Sequence, residues 1–316
     1  SILAVVPLTY ALHEAPALGW GHPRMLLLLG TAAVAGVAFV VRELRTPAPL
    51  LDLRYFRSRG LSSGSSLLLI LFGVQAGVSL VLYPFFQVVL GWSGLLSTLA
   101  LMPMALLMMV ASGLAPRVAA AIGPRATMAG GLAVAAGGLA LMAVIVSADG
   151  GYRTVLPGLV ALGLGSGLAM TPSTEAITSS LPRAQQGVAS AVNDLTRELG
   201  AALGVAMLGG VLTAGYHSAV SGRLTGVPEA VAGPAREGVA NAAAAAAGAG
   251  THAEQVLTAA REAFVAGWQR AMWVGMAALV VVLVLTVLRG PERRSSAALA
   301  PADGEAGDAS TPADGE

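Results

Sequence analysis

Residues 190–204 read SAVNDLTRELGAALG, and they place the charged side chains of Asp194, Arg197 and Glu198 inside a long apolar run. Charge is scarce elsewhere: of the 316 residues, 11% are charged, 55% are hydrophobic, and the mean hydropathy is +0.74. Soluble globular domains of this length do not reach such values. The composition therefore predicts an integral membrane protein, and three charges this close together in an apolar helix require an explanation.

Seven apolar runs approach or exceed the roughly 20 residues that a helix needs to cross a bilayer. They are Met25 to Val41, Ser65 to Leu90, Leu95 to Ala115, Ala126 to Val146, Val155 to Leu181, Val188 to Gly215 and Ala263 to Leu288. The sequence therefore predicts an all-α, polytopic transmembrane helix bundle. Residues 1–12 are apolar but too short to span, and the chain begins at Ser1 rather than Met. We expect them to be the remnant of a truncated transmembrane helix in a fragment of a longer protein.

The arginines predict which side of the membrane each connection faces. All 18 basic residues are Arg, and one alternating set of connections carries 11 of them against 5 in the other set. Cytoplasmic connections of membrane proteins carry the basic excess. We therefore expect a multi-pass protein of the plasma membrane with a cytoplasmic C-terminal tail, residues 289–316. The Pro, Ala, Gly and acidic composition of this tail is typical of disorder.

Two other connections have a character of their own. Residues 42–64 alternate arginines with apolar side chains, which predicts a cytoplasmic linker that lies at the membrane interface. Residues 216–262 are rich in Ala and Gly, and the arginine count places this long connection on the extracellular side of the bundle, which covers residues 65–288.

Several kinds of chemistry are disfavoured by the composition. The net charge of +1 gives no electrostatic reason to expect a nucleic-acid partner. Cysteine is absent, and the four histidines lack the spacing of metal ligands, so we expect no metal and no cofactor. An intramembrane enzyme would need a His/Asp pair, a zinc motif or a serine elbow within the spans, and GLGSG at residues 163–167 lacks the flanking glycines of that elbow.

Small residues and prolines within the runs indicate how the helices pack. Gly200 and Gly204 have the spacing that lets two transmembrane helices approach backbone to backbone. Pro84, Pro103 and Pro172 lie inside predicted spans, where proline removes a backbone donor and kinks the helix.

The charged residues predict a cluster. Asp194, Arg197 and Glu198 fall on one face of a helix, and Glu175 precedes the link between two spans by as many residues as Asp194 follows it. In an antiparallel hairpin Glu175 and Asp194 would both lie roughly 10 Å inside the cytoplasmic boundary, and Arg197 would lie one turn deeper. We expect one buried or half-buried cluster of Glu175, Asp194, Arg197 and Glu198. Two interpretations stay open: a clamp or gate that holds the hairpin together, and a carboxylate that carries a coupling proton.

The chain resembles a known transporter family. The similarity is carried by TPAPLLDLRYFRSRG (46–60), PFFQVVLGWSGLLSTLALMPMAL (84–106) and MTPSTEAITSSLPRAQQGVASAVNDLTRELGAALGVAMLG (170–209). These segments resemble the C-terminal portion of major facilitator superfamily transporters, in the branch of fourteen-spanning drug/proton antiporters of the EmrB/QacA type. The resemblance implies the second six-helix half of that fold, preceded by two central helices of which the first is truncated. It also implies a missing N-terminal six-helix half as partner.

One connection is similar to a signature of that superfamily. GLAPRVAAAIGPR, residues 113–125, looks like the cytoplasmic loop between the second and third helices of a bundle. It keeps Gly113, Arg117, Gly123 and Arg125, but Pro116 stands where the family has an acid. The resemblance therefore implies a structural turn here rather than a charge relay.

The resemblance implies the C-terminal half of a proton-coupled exporter of small amphipathic or cationic compounds, embedded in a lipid bilayer. Candidate residues of the substrate cavity are Gln75, Tyr83, Gln87, Ser166 and Thr171. Two alternatives stay open: an exporter dedicated to one endogenous metabolite, and a membrane scaffold that does not transport. The protein is not expected to be an enzyme.

Overall fold

The computed structural model describes residues 6, 7, 10, 11, 22–46 and 58–290. These residues form helices and short connections without any strand. Seven helical segments in this part of the chain are long and apolar enough to cross a membrane. The predicted all-α, polytopic fold is therefore confirmed.

The helices are labelled here in chain order. They are α1 (Pro23–Arg45), α2 (Arg59–Pro84), α3 (Gly94–Leu99), α4 (Met102–Ile122), α5 (Pro124–Ile145), α6 (Gly151–Thr178), α7 (Gln186–Val220), α8 (Glu229–Glu237), α9 (Val239–Ala246) and α10 (Ala253–Arg289). The short α3 continues almost directly into α4, and together they form one candidate span.

Several helices extend beyond their predicted limits. The Ser58 hydroxyl caps α2 by accepting the backbone N–H of Leu61 at 3.3 Å, so this helix begins inside the segment expected to be an interfacial linker. The rest of that linker, residues 47–57, lies outside the described residues, as do most of residues 1–12 and the tail from residue 291. With 37 residues, α10 is roughly 55 Å long, which exceeds the thickness of a hydrocarbon core.

The connection expected on the extracellular side is mostly helical. We call residues 221–252, which include α8 and α9, the helical cap. The Tyr216 hydroxyl at the end of α7 donates to the Ala235 carbonyl in α8 at 2.6 Å, and Arg223 forms an ion pair with Glu262 of α10 at 3.1 Å. The cap is thus attached to both long helices of the bundle.

The bundle is organised around α2. This helix packs on α7, on α6 and on α10, while α6 packs mainly on α5 and α4, and α10 mainly on α5 and α7. The consecutive helices α6 and α7 are therefore not principal neighbours. Their main packing partners come from other parts of the sequence.

Glycines bring α2 and α7 into close contact. A Cβ atom added at Gly73 would lie 2.7 Å from the carbonyl oxygen of Gly200, and one at Gly77 would lie 2.7 Å from that of Gly204. Real Cβ atoms do not approach other atoms so closely. The two backbones pass each other at a distance that only glycine allows on both sides.

The three prolines singled out in the sequence have different effects. Pro84 ends the regular part of α2, and a π-helical turn, Phe85–Val89, follows it. Pro103 lies in the first turn of α4, where a missing N–H removes no hydrogen bond, and it follows the interruption between α3 and α4 inside one candidate span. Pro172 lies inside α6, which continues to Thr178.

Candidate functional site

Half-buried side chains of mixed character lie on four helices of the bundle. We call the following six residues the polar face: Phe72 and Gln75 on α2, Met108 and Ser112 on α4, Thr171 on α6, and Arg197 on α7. Specific contacts between helices join them in pairs. The polar face therefore combines an aromatic ring, an amide, a thioether, two hydroxyls and one cation within an otherwise apolar bundle.

Two hydrogen bonds between helices join the neutral polar members of the polar face. The Gln75 amide donates to the sulfur of Met108 at 3.4 Å, which joins α2 to α4. The hydroxyls of Ser112 and Thr171 lie 2.7 Å apart and join α4 to α6. Since a thioether is a weak acceptor, the amide of Gln75 retains most of its capacity for hydrogen bonding.

Arg197 is the charged member of the polar face. Its guanidinium carbon lies 4.8 Å from the ring centroid of Phe72, which is the geometry of a cation–π contact. The buried Nε atom has no hydrogen-bond acceptor, and Arg197 forms no ion pair with any residue that the structure describes. The charge of Arg197 is therefore stabilised by an aromatic ring instead of a carboxylate. The guanidinium remains able to bind a further acceptor.

The three predicted carboxylates do not surround Arg197. Glu175, Asp194 and Glu198 are exposed on this bundle. The contact of Asp194 is local, since the Asn193 amide donates to its Oδ1 at 3.5 Å, and Arg197 forms no ion pair with Asp194 or Glu175 within the described residues. The prediction of one buried cluster is therefore wrong in its geometry.

The packing of α2 explains this difference. A Cβ atom at Gly64 would lie 2.7 Å from the Ser173 carbonyl oxygen, and one at Gly60 would lie 3.1 Å from that of Ala176, so the start of α2 lies directly against the end of α6. Because α7 packs mainly on α2 and α10, it makes only limited contact with α6, and the two helices do not pack side by side as assumed. Glu175 lies roughly 5 Å from the end of α6, and Asp194 lies roughly 12 Å from the start of α7.

The remaining cavity candidates lie in three different environments. Gln75 and Thr171 belong to the polar face. Tyr83 is half-buried near the end of α2, and Gln87 is exposed in the π-helical turn. Ser166 is fully buried in α6, and its hydroxyl has no partner in the described structure. Sequence reasoning missed Phe72, Met108 and Ser112, because nothing in their local sequence distinguishes them from packing residues.

The residues of the expected loop signature lie mostly on a helix. Gly113 and Arg117 are exposed on α4, which continues to Ile122. The connection is reduced to Gly123, whose φ of +95° favours glycine and turns the chain directly into α5. Arg125 packs near the end of α10, since a Cβ atom at Gly290 would lie 2.9 Å from its Cγ.

Comparison with known proteins gives this architecture its family. The model of the Major Facilitator Superfamily matches residues 2–205, a range that contains every residue of the polar face. The chain belongs to the Major Facilitator Superfamily. Members of this superfamily are multi-pass membrane transporters, which agrees with the seven candidate spans.

Relatives of this superfamily member are efflux proteins of bacteria. The chain is 35% identical over 240 residues to the multidrug efflux pump LfrA of Mycolicibacterium smegmatis, which covers 74% of this chain and 46% of that protein. It is 32% identical over 213 residues to the multidrug resistance protein Stp of Mycobacterium tuberculosis, covering 67% and 39%. It is 33% identical over 207 residues to the tetracenomycin C resistance and export protein of Streptomyces glaucescens, covering 65% and 38%. The chain spans less than half the length of each of these relatives.

Proposed function

We propose that the chain is the C-terminal portion of a fourteen-spanning drug/proton antiporter of the plasma membrane, with its C-terminus in the cytoplasm. Its bundle would pair with an N-terminal six-helix half, and the complete protein would export small amphipathic or cationic compounds. The polar face carries this proposal. A half-buried surface of aromatic, amide and hydroxyl groups in an apolar bundle is suited to bind molecules that are partly apolar and partly polar.

The substrate path would lie along the polar face. Transporters of this kind bind substrate between two bundles and expose the site alternately to each side of the membrane. Neutral donors and acceptors such as Gln75 and Thr171 would orient a substrate without a large desolvation cost. The exposed carboxylates of Glu175, Asp194 and Glu198 lie toward the ends of α6 and α7 that we expect in the cytoplasm, where they would attract organic cations.

A carboxylate without an ion pair is the candidate for carrying protons. Asp194 lies one helical turn before Arg197 and is exposed on this bundle. If the second half covers it in one state and water reaches it in the other, the two states expose this carboxylate alternately, as a coupling site requires. Within the described residues Arg197 forms no ion pair with Asp194 or Glu175, so the clamp interpretation lacks the ion pair on which it depends.

The test uses the protein expressed from its complete gene, in membrane vesicles with an imposed pH gradient. We expect Asp194→Asn, and to a smaller extent Glu175→Gln, to reduce gradient-driven export of a fluorescent cation at least about tenfold while membrane abundance stays normal. Glu254→Gln is the matched control, since Glu254 is an exposed carboxylate at the start of α10 and we expect it to leave export unchanged. Normal export by both Asp194→Asn and Glu175→Gln would contradict a coupling role.

A dedicated exporter is the second candidate function. One relative, the tetracenomycin C resistance and export protein, is named after a single exported compound. The same vesicle assay with a panel of unrelated cations and neutral amphipathic compounds separates the two candidates, because a dedicated exporter would transport one chemical class.

A further inference from the structure

Two cavities meet at the end of the bundle where α2 begins and α10 ends. We call the first the polar cavity, because most of its lining residues are Ser, Thr or Arg. It has a volume of about 390 Å³ and is lined by Ser62 and Ser66 from the first turns of α2 and by Thr286 and Arg289 from the last turns of α10. Arg59 forms part of its wall as well. Residues with hydroxyl and guanidinium groups therefore line one partly open space.

The second cavity is apolar and continues from the first. It has a volume of about 570 Å³ and is lined by Leu69 and Ile70 of α2 and by Ala278 and Val281 of α10. Ser66, Val282 and Leu285 line both cavities, so the polar space opens into the apolar groove. Together the two cavities form a continuous space, with the polar cavity at one end and the apolar groove at the other.

Two buried hydroxyls in these walls have no hydrogen-bond partner in the described structure. The Thr286 side chain, 1% exposed, lines the polar cavity, and the Ser65 side chain, 8% exposed, lines the apolar groove near its polar end. Serine and threonine in helices commonly bond the carbonyl one turn earlier, as Ser63 does with Arg59 at 2.5 Å. A buried hydroxyl without any partner is unfavourable, which points to a ligand that supplies one.

The Arg289 guanidinium has no carboxylate beside it among the lining residues of the polar cavity. No carboxylate lines either cavity, and Arg289 forms no ion pair with any residue in the described ranges. A cavity near the helical cap gives the contrast, because Arg223 there is paired with Glu262. The site between α2 and α10 therefore attracts an anion.

We propose that these two cavities bind one anionic glycerophospholipid of the inner leaflet. Its phosphate would lie beside Arg289 and accept hydrogen bonds from the Thr286 and Ser62 hydroxyls, and one acyl chain would occupy the groove along Leu69 and Val281. Basic pockets between transmembrane helices at the headgroup level suit such lipids. The groove favours a lipid over free phosphate, because inorganic phosphate would leave the apolar cavity empty.

The first experiment measures lipid binding to the complete, detergent-purified protein by native mass spectrometry. Phosphatidylglycerol is titrated against phosphatidylcholine, which has no net charge. We expect Arg289→Gln to weaken phosphatidylglycerol binding about fivefold, the effect of one interfacial arginine, and to leave phosphatidylcholine binding unchanged. Arg261→Gln is the matched control, because Arg261 is exposed near the other end of the same helix.

A second pair of measurements tests each cavity separately. Thr286→Val removes the buried hydroxyl with little change of shape, and Ala278→Phe fills the apolar groove while leaving the polar cavity intact. We expect both variants to bind phosphatidylglycerol at least about threefold more weakly, since each removes one of the proposed contacts. These measurements require no transport, so their outcome is independent of the proposed export activity.

Three outcomes would overturn the proposal. Binding of sn-glycerol 3-phosphate as tight as that of phosphatidylglycerol, with no effect of Ala278→Phe, would show a site for a free phosphate. Equal weakening by Arg289→Gln and Arg261→Gln would show a general effect of surface charge. Unchanged phosphatidylglycerol binding in Arg289→Gln and Thr286→Val would show that the lipid lies elsewhere.

Discussion

At the scale of single residues, Arg197 shows how a charge is accommodated within the bundle. Its guanidinium lies over the ring of Phe72, and its nearest charged neighbours on α7, Asp194 and Glu198, remain exposed. A guanidinium is only weakly hydrated and stacks well on aromatic faces. The helix can therefore keep this charge at the polar face without a buried carboxylate.

Replacing the ring tests this contact. We expect Phe72→Leu to lower the free energy of unfolding by about 1 kcal/mol, the usual size of a cation–π contact that is partly screened by water. The measurement is the midpoint of thermal unfolding of the purified protein in detergent. Phe72→Trp keeps an aromatic face and is the control, which we expect to match or exceed the wild type. An equal loss in both variants would mean that the shape of the phenylalanine matters and its aromatic face does not.

The sequence identified the charged residues of this site but not their partners. The helical period places Asp194, Arg197 and Glu198 on one face of α7, and this needs no knowledge of other helices. The partner of Arg197 is a phenylalanine that precedes it by 125 residues, in an apolar run where each aromatic residue is an equally good packing candidate. Only the packing of α2 on α7 selects Phe72.

At the scale of elements, the crossing of α2 and α7 depends on glycine. Gly204 faces the backbone of Gly73, and no atom of α2 can move aside to admit a side chain. Gly210 lies further along the same helix, is exposed, and has open space where a Cβ atom would be. Gly204 and Gly210 are therefore the same residue type on the same helix, and they differ only in how closely they are packed.

This pair gives a matched test of the crossing. We expect Gly204→Ala to lower stability by about 1–3 kcal/mol or more, the range for overpacking, and to reduce the amount of protein in the membrane. Gly210→Ala should be neutral or slightly stabilising, because alanine has the higher helix propensity. Membrane abundance and the thermal midpoint are the measurements. Tolerance of Gly204→Ala at wild-type stability would show that the helices can separate there.

The same crossing explains why α6 and α7 do not pack side by side as the sequence predicted. Periodicity and hydropathy locate the spans, so the elements themselves follow from the sequence. Neighbours in the bundle are a different matter, because the glycines of α2 let it lie against both α6 and α7. A short link between two helices favours a hairpin but does not require it. The π-helical turn after Pro84 also has a local cause. A proline in the sequence predicts an irregularity in the helix, but it does not predict which kind.

At the scale of the whole molecule, two kinds of surface cover the bundle. Large apolar side chains are exposed along α3 and α4, including Leu95, Leu106 and Met109, as expected for contact with lipid or with a second bundle. The half-buried polar face brings side chains of four helices together. A lipid-facing exterior agrees with membership of the superfamily, and we propose the polar face as the substrate path.

The orientation of the bundle in the membrane rests on the distribution of arginines, and the absence of cysteine in this chain allows a direct test. Ala184 lies in the exposed link between α6 and α7, and Gly222 is exposed in the helical cap. In the complete protein without other cysteines, we expect Gly222→Cys to react with a membrane-impermeant maleimide in intact cells. Ala184→Cys should react only after permeabilisation, because the positive-inside rule places it in the cytoplasm. The reverse labelling pattern would invert the bundle, and would move the proposed lipid site to the outer leaflet and the exposed carboxylates to the outer mouth of the substrate path.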